Sequence, residues 1–405
     1  MAELDLYDRF RTRAVRLGLP RDEVTGALVE PICLTTTFEQ RLPGKPQSQY
    51  VYSRPGNPSR VSLERCIADL ESASHGLVFS SGLAATAMLM IAYASNSHVA
   101  CMANLYSGKR RYLTLVGPKH GVAVSFADNM EEELEGVLRD DAKLVWIETP
   151  RNPTLSLVDI AAVSTVARRQ GALTVVDNTF LSLYIQNPLK FGADLVLYLV
   201  TKFINGHSAN NVKDVLMGAI AFKSPKLKSE LSLLQNAMGS VPSPSDCWLA
   251  HRGNKTLYVR ARTASETAKK LAVALEECPH VVTVIYPGLI SHPQHPVAAK
   301  QHRESLGGGM IAFRIKGCGE AAEKFCESSR YFTLAESLSG VKSLCEIPAC
   351  MTHTAIAEEE RQRMGIYQDL IRLSVGLEDA EDLLEDVAST LAKVAEFIAS
   401  QDNGN

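Results

Sequence analysis

Between about residue 140 and residue 222, short and almost wholly apolar runs alternate with amphipathic stretches, and this constrains the chain more than any other feature. The runs read LVWIET, LTVVDNT, ADLVLYLVTK and LMGAIAF, with a helical pattern across Val158 to Arg169. Runs without a polar face belong to strands buried on both sides. The pattern therefore predicts an α/β fold with a mainly parallel central sheet and helices on both faces. In open sheets of that kind, ligands gather beyond the carboxyl ends of the strands. The residues that close each run are the first to examine.

The rest of the chain divides around this core. Residues 1–58 show little periodicity and hold Pro31, Pro43, Pro46, Pro55 and Pro58, which reads as an arm reaching a neighbouring subunit rather than a packed layer. Beyond it Leu63, Ile67 and Leu70 recur at helical spacing, followed by the short run Leu77 to Phe79 and by SSGLAAT opening another helix. A long helical pattern from Asp246 to Glu277 links to VVTVIY, GGMIAFRI and DLIRLSV, which read as strands, and Glu381 to Ile398 reads as a closing helix. The expected division is an arm over 1–58, a large ligand-binding domain over 59–250, and a smaller α+β C-terminal domain over 251–405 that includes the linking helix. A chain of 405 residues has the length for such a plan.

Composition narrows the partners. The net charge of -3 offers no basic field for nucleic acid or an anionic membrane. No apolar run approaches the roughly 20 residues that span a bilayer. Nine scattered cysteines, odd in number and without a CxxC pair, favour reduced thiols. The opening MAELDLYDRFRTR lacks the apolar core of a signal peptide, so the expected location is the cytoplasm.

Lys202 follows a run that is almost wholly apolar from Ala193 to Val200. An ammonium without a partner is costly to desolvate, and desolvation produces the low-pKa amine that imine chemistry needs. Taken alone, the position also suits a strand-end lysine emerging into solvent. Asp177 ends the preceding apolar run, one strand–helix–strand unit earlier, so parallel neighbours bring both to one sheet edge. Alone it also suits a helix cap or turn. Together they are the pair that pyridoxal phosphate requires: an amine for its aldehyde and a carboxylate for its ring nitrogen.

Other residues are less specific singly. SSGLAAT offers free helix amides to a phosphate, although Ser-Gly turns commonly start helices. Tyr106 has an aromatic face to offer a ring, or is an ordinary interfacial tyrosine. Arg372, in the run LIRLSVG, needs a carboxylate if buried and none if its strand edge faces water. His292 and His295 in SHPQH have no third ligand nearby and read as a surface loop, with no metal site.

With these residues in place, the sequence resembles the trans-sulfuration, or Cys/Met metabolism, family of pyridoxal-phosphate enzymes of fold type I, which are aspartate-aminotransferase-like. The resemblance runs from PICLTTTF to IRLSVGLEDAEDLLED and includes YSRPGNPSR, FSSGLAAT, ETPRNPT, VVDNTF, TKFINGHS and ESLSG. It implies that Lys202 carries the cofactor and shuttles protons, that Asp177 faces the ring nitrogen and that Tyr106 stacks on the ring. By the same resemblance Gly82, Leu83 and Thr201 hold the phosphate, joined by Tyr52 and Arg54 from a neighbouring subunit. Asn152, Ser337 and Arg372 would hold the substrate carboxylate, with Arg111 and Glu336 toward the distal end.

The activity implied is carbon–sulfur bond cleavage in a small amino acid, cystathionine, giving cysteine, 2-oxobutanoate and ammonia, with hydrogen sulfide from side reactions. Gamma-replacement by a thiol, as in a synthase or an acylhomoserine sulfhydrylase, and a weakly active or non-catalytic paralogue are the alternatives. The implied assembly is a homotetramer of two active dimers. Three departures from the family pattern stand out: Leu199 replaces a serine, GHSANNVKDVLMG carries extra residues and Ala209, and NLYSGKRRY puts Lys109 and Arg110 where small or neutral residues are expected.

Overall fold

The computed structural model describes residues 9–18, 24–209 and 212–402. Helix α1 (Phe10–Arg16) buries Phe10 and Ala14, and Phe10 meets Tyr184 edge-on with ring centroids 5.2 Å apart. The start of the expected arm thus packs on the rest of the same chain; the Pro-poor stretch around Phe10 has apolar residues one helical turn apart that the proline count obscured. The segment from Val24 to Gly56 is mostly exposed and forms only a small hairpin (Gln40–Leu42 with Lys45–Pro46) and a bridge between Thr37 and Tyr52. It ends at Asn57, whose side chain caps α2 (Pro58–Leu70) by accepting from Ser59 N and Arg60 N, with Pro58 at the first helical position.

The large sheet has seven strands: β1 (His75–Phe79), β2 (His98–Met102), β3 (Ala123–Ala127), β4 (Ala142–Glu148), β5 (Leu173–Asp177), β6 (Leu195–Leu199) and β7 (Gly218–Phe222). Their order is β1-β7-β6-β5-β4-β2-β3. All neighbouring pairs from β6 to β3 are parallel, while β7 runs antiparallel to both β6 and β1. The sheet is therefore mainly parallel, as its apolar strands predict. Helix α2 packs on β1, α3 (Gly82–Tyr93) on β7 and β6, and α5 (Ile160–Arg169) on β5; the short α4 (Ser107–Arg111) follows β2.

The linking helix is two helices, α6 (Pro244–Asn254) and α7 (Leu257–Glu276). Their junction turns because Gly253 O is claimed by Thr256 N at 3.1 Å and by the buried Arg260 guanidinium at 2.7 Å. The second sheet holds β8 (Val281–Ile285), β9 (Met310–Ile315), β10 (Thr333–Leu334), β11 (Leu344–Glu346) and β12 (Leu370–Ser374) in the order β8-β9-β12-β11-β10. Its apolar face forms a buried cluster separate from that of the large sheet, closed by α8 (Ala380–Asp402).

His292 departs from the expected surface loop. It is 4% exposed, because Gln294 ties this loop to Leu157 through two bonds of 2.7 Å. In the altered segment after Lys202, Ser208–Ala209 pairs with Val212–Lys213, and Asn210 and Asn211 lie outside the described residues.

Candidate active site

The parallel register sets one edge of the large sheet apart. Strands β2, β4, β5 and β6 end there at Met102, Glu148, Asp177 and Leu199, and β1 joins them through its double antiparallel link by β7. A cavity of ≈ 200 Å³ lies at this edge, lined by Tyr106, Lys109, Asp177 and Lys202 from the large sheet and by Ser337 and Arg372 from the C-terminal segments. Asn152, Leu199 and Glu336 also line it.

Lys202 follows β6 and donates from Nζ to Ser337 Oγ at 2.6 Å. Burial brings its amine down to about 8, Arg372 adds to the fall, and Glu346 and Glu336 oppose it. Such an amine is partly neutral near physiological pH, as a nucleophile toward a carbonyl must be. Ser337 sits at φ +98°, a left-handed conformation that a non-glycine residue adopts at a cost, here beside the reactive amine.

Arg372 is 2% exposed. It lies opposite Glu346 in the β11–β12 register and pairs with that carboxylate at 2.9 Å. It also donates to Asn152 Oδ1 and to Ser337 O, each at 2.8 Å, while its Nε has no hydrogen-bond partner among the described residues. A cation held this rigidly at a cavity wall suits a small carboxylate. Thr352 Oγ1 donates to Glu346 at 2.9 Å and fixes its orientation.

Tyr106 precedes α4, and its backbone N donates to Glu148 Oε2 at 3.2 Å. Gly108 lies close under its ring: a Cβ there would come within 2.7 Å of Tyr106 Cε1. Asp177 accepts from Thr179 N at 2.8 Å and is ion-paired to Lys109, which also binds Glu148 Oε1 at 2.6 Å.

Beyond Leu199 stands the start of α3. The first amides of a helix have no intrahelical acceptor, and Ser81 Oγ satisfies only Ala84 N, at 3.0 Å. Gly82 and Leu83 thus present amides next to Leu199, whose side chain lies over Gly82: a Cβ on that glycine would meet Leu199 Cγ at 2.6 Å. Thr201 Oγ1 is occupied by Met217, accepting from its N at 2.9 Å.

Within one chain the other expected residues lie apart. Tyr52 is exposed, Arg54 donates to Asn236 Oδ1 at 3.1 Å, and Arg111 is exposed and outside the cavity lining, whereas Glu336 lines the cavity. Two carboxylates escaped the sequence reading. Glu148 closes LVWIET just as Asp177 closes its own run, so the strand-end rule would have found it. Glu346 lies in a three-residue strand with no such signal. Among the described residues no group of three or more His, Cys, Asp or Glu is arranged to hold a metal ion.

Known proteins share this architecture. The chain is 49% identical over 389 residues to cystathionine gamma-lyase of Saccharomyces cerevisiae, covering 95% of this chain and 97% of that one. The crystal structure of the yeast cystathionine gamma-lyase superposes with a TM-score of 0.92 at 48% identity, over 95% of this chain and 98% of that one. A cystathionine gamma synthase from Xanthomonas oryzae, solved with aminoacrylate and cysteine, gives a TM-score of 0.90 at 40% identity, over 96% and 98%. Residues 11–392 match the family model described as Cys/Met metabolism PLP-dependent enzyme. A strand-edge lysine, carboxylate and arginine around one cavity, together with these likenesses over nearly the whole length, mean that the chain belongs to the Cys/Met metabolism family of enzymes, whose cofactor is pyridoxal phosphate.

Proposed function

We propose that this chain is a carbon–sulfur lyase that cleaves L-cystathionine, with one water, to L-cysteine, 2-oxobutanoate and ammonia in trans-sulfuration. The observation that carries the reading is the meeting of Lys202, Ser337 and Arg372 in one cavity, an amine of lowered basicity within reach of a carboxylate-binding cation. The residues fit pyridoxal phosphate by the chemistry of their donors: an amine for its aldehyde, an aromatic side chain for its ring, a carboxylate for its nitrogen, and helix amides for its phosphate. When bound, that group supplies a conjugated ring that accepts the electron pair left on the substrate's alpha carbon.

The residues of the chain then divide the work. Lys202 Nζ would hold the cofactor, and as a free amine would take the alpha proton and move a proton at the beta carbon, its acidity suiting both directions. Arg372, Asn152 and Ser337 would hold the substrate carboxylate, Tyr106 would flank the ring, and Gly82, Leu83 and Thr201 would hold the phosphate. Glu336 and Arg111 serve the distal half of the substrate. Hydrogen sulfide from cysteine or homocysteine is the expected side product.

Tyr52 and Arg54 complete the phosphate site of a neighbouring subunit, a reading supported by the exposure of the arm, where Leu28 and Leu34 are 92% and 66% exposed. A homotetramer made of two such dimers follows. The division into an arm (1–58), a large domain (59–250) and a C-terminal domain (251–405) is supported by the two separate buried clusters. A cytoplasmic location is supported by nine free cysteines.

The test is direct. Purified holoprotein given cystathionine should release cysteine and 2-oxobutanoate in equal amounts, and Lys202→Ala should lose at least about 10²-fold in rate, the low end for a proton-transfer group. Faster synthesis of cystathionine from an acylhomoserine and cysteine than its cleavage would make the chain a gamma-replacement enzyme. Turnover of none of these substrates would make it a non-catalytic paralogue.

A further inference from the structure

Lys109 has no task in that division of work, yet it is only 2% exposed and reaches the carboxylate at the ring-nitrogen end. Its position follows from the sheet. Glu148 and Asp177 are direct register partners on parallel neighbours, strands about 4.8 Å apart, so their side chains share one face. Two buried carboxylates that close do not both ionise without a cation between them.

Lys109 Nζ is that cation, bound to Asp177 Oδ2 and to Glu148 Oε1. The remaining oxygens are also taken: Asp177 Oδ1 by Thr179 N at 2.8 Å, and Glu148 Oε2 by Tyr106 N at 3.2 Å. Burial alone pulls the ammonium down, but the two carboxylates hold it above the ordinary lysine value. It is therefore a fixed charge. A protonated ring nitrogen would bring a second cation to Asp177, beside the Lys109 ammonium, in a site largely closed to water, where like charges repel most.

We propose that Lys109 competes with the cofactor's ring nitrogen for Asp177, so that this chain carries pyridoxal phosphate with an unprotonated ring nitrogen and binds it less tightly than a chain without that ammonium. The proposal rests on the reading that pyridoxal phosphate occupies this cavity on Lys202. Lys109 acts through Asp177 and is a positioning residue. Its effect is to weaken the electron sink, because a neutral ring accepts charge less readily than a protonated one.

The experiment uses full-length protein reconstituted with pyridoxal phosphate labelled with nitrogen-15 in the ring. The wild type should show the chemical shift of an unprotonated pyridine, as should Lys109→Arg. Lys109→Met should show a protonated ring and a cofactor Kd lower by at least about tenfold. If Lys109→Met fails to fold because two carboxylates are left together, Lys109→Met/Glu148→Gln removes one charge of each sign and carries the same expectation. A protonated ring in the wild type overturns the proposal, as does an unprotonated ring or an unchanged Kd in both neutral variants.

Borohydride reduction and peptide mass then separate this from the cofactor reading. Label on Lys202 in both wild type and variant with equal ring shifts sinks the role of Lys109 alone. Label on Lys202 in neither protein sinks the cofactor reading and the proposal together.

Discussion

An ordinary lysine stays protonated to about pH 10.5, whereas burial brings Lys202 to about 8. The difference is a statement about stability as well as reactivity. Between pH 8 and 10.5 the unfolded chain holds a proton that the folded chain has released, so the apoprotein gains stability as pH rises through that window. Below pH 8 the amine is charged in both states and its desolvation cost is fully present. Lys202→Met should accordingly stabilise the apoprotein at pH 7 by up to about 3 kcal/mol, with the gap closing above pH 10. Urea denaturation at pH 7, 9 and 10.5 checks this, and a gap independent of pH would assign the effect to packing. Lys202 and Asp177 were legible as residues because each closes an apolar strand. Lys109 was legible only as an unexpected charge, since its reach to Asp177 depends on how α4 is seated over β4 and β5.

Among the elements, the close approach of α3 to β7 seats the start of that helix beside Leu199. Gly218 begins β7 opposite Phe79 and Leu199. A Cβ on it would stand 2.5 Å from Ser81 O and 2.7 Å from Gly82 Cα, both backbone atoms that cannot rotate aside. Gly218→Ala should therefore push the start of α3 away from the strand, costing about 1–3 kcal/mol as other overpacked sites do and weakening cofactor binding by about tenfold or more. Equilibrium unfolding with cofactor titration reads both. Retained affinity in a destabilised variant would show that the helix start does not bear on the cofactor. The run LMGAIAF announced a buried strand, but its antiparallel direction was not in its composition. Direction depends on the connection from Lys202 to Gly218, which returns the chain to the same edge of the sheet with no crossover helix among its described residues.

For the molecule as a whole, two buried histidines tie stability to acid. His302 and His353 are 4% and 0% exposed. Each is held down to about 4, chiefly by burial, His353 also by Arg372 and Arg361, with Leu306 opposing at His302. Both remain neutral when folded, while the unfolded chain takes up protons from about pH 6.5 downward. Stability should then fall between pH 6.5 and 4, by up to about 3 kcal/mol per histidine. Thermal melting from pH 7 to 4.5 should show a steep loss of Tm that is shallower in His302→Gln/His353→Gln. An equally steep loss in that variant would place the acid sensitivity in the carboxylates. The same scale joins the two sheets: Lys202 meets Ser337, and Arg372 meets Asn152, across more than a hundred residues of chain.

The sequence by itself determined the buried parallel strands and the residues that close them, because an all-apolar run and the residue at its end are local properties that survive any packing. The tertiary structure alone decided that Lys109 bridges the Glu148 and Asp177 pair, that Arg372 faces Glu346 across two strands, and that Ser337 meets the amine of Lys202. Those are matters of register and of docking between distant segments, and a charge reveals its partner only after the chain has brought it out of water beside one.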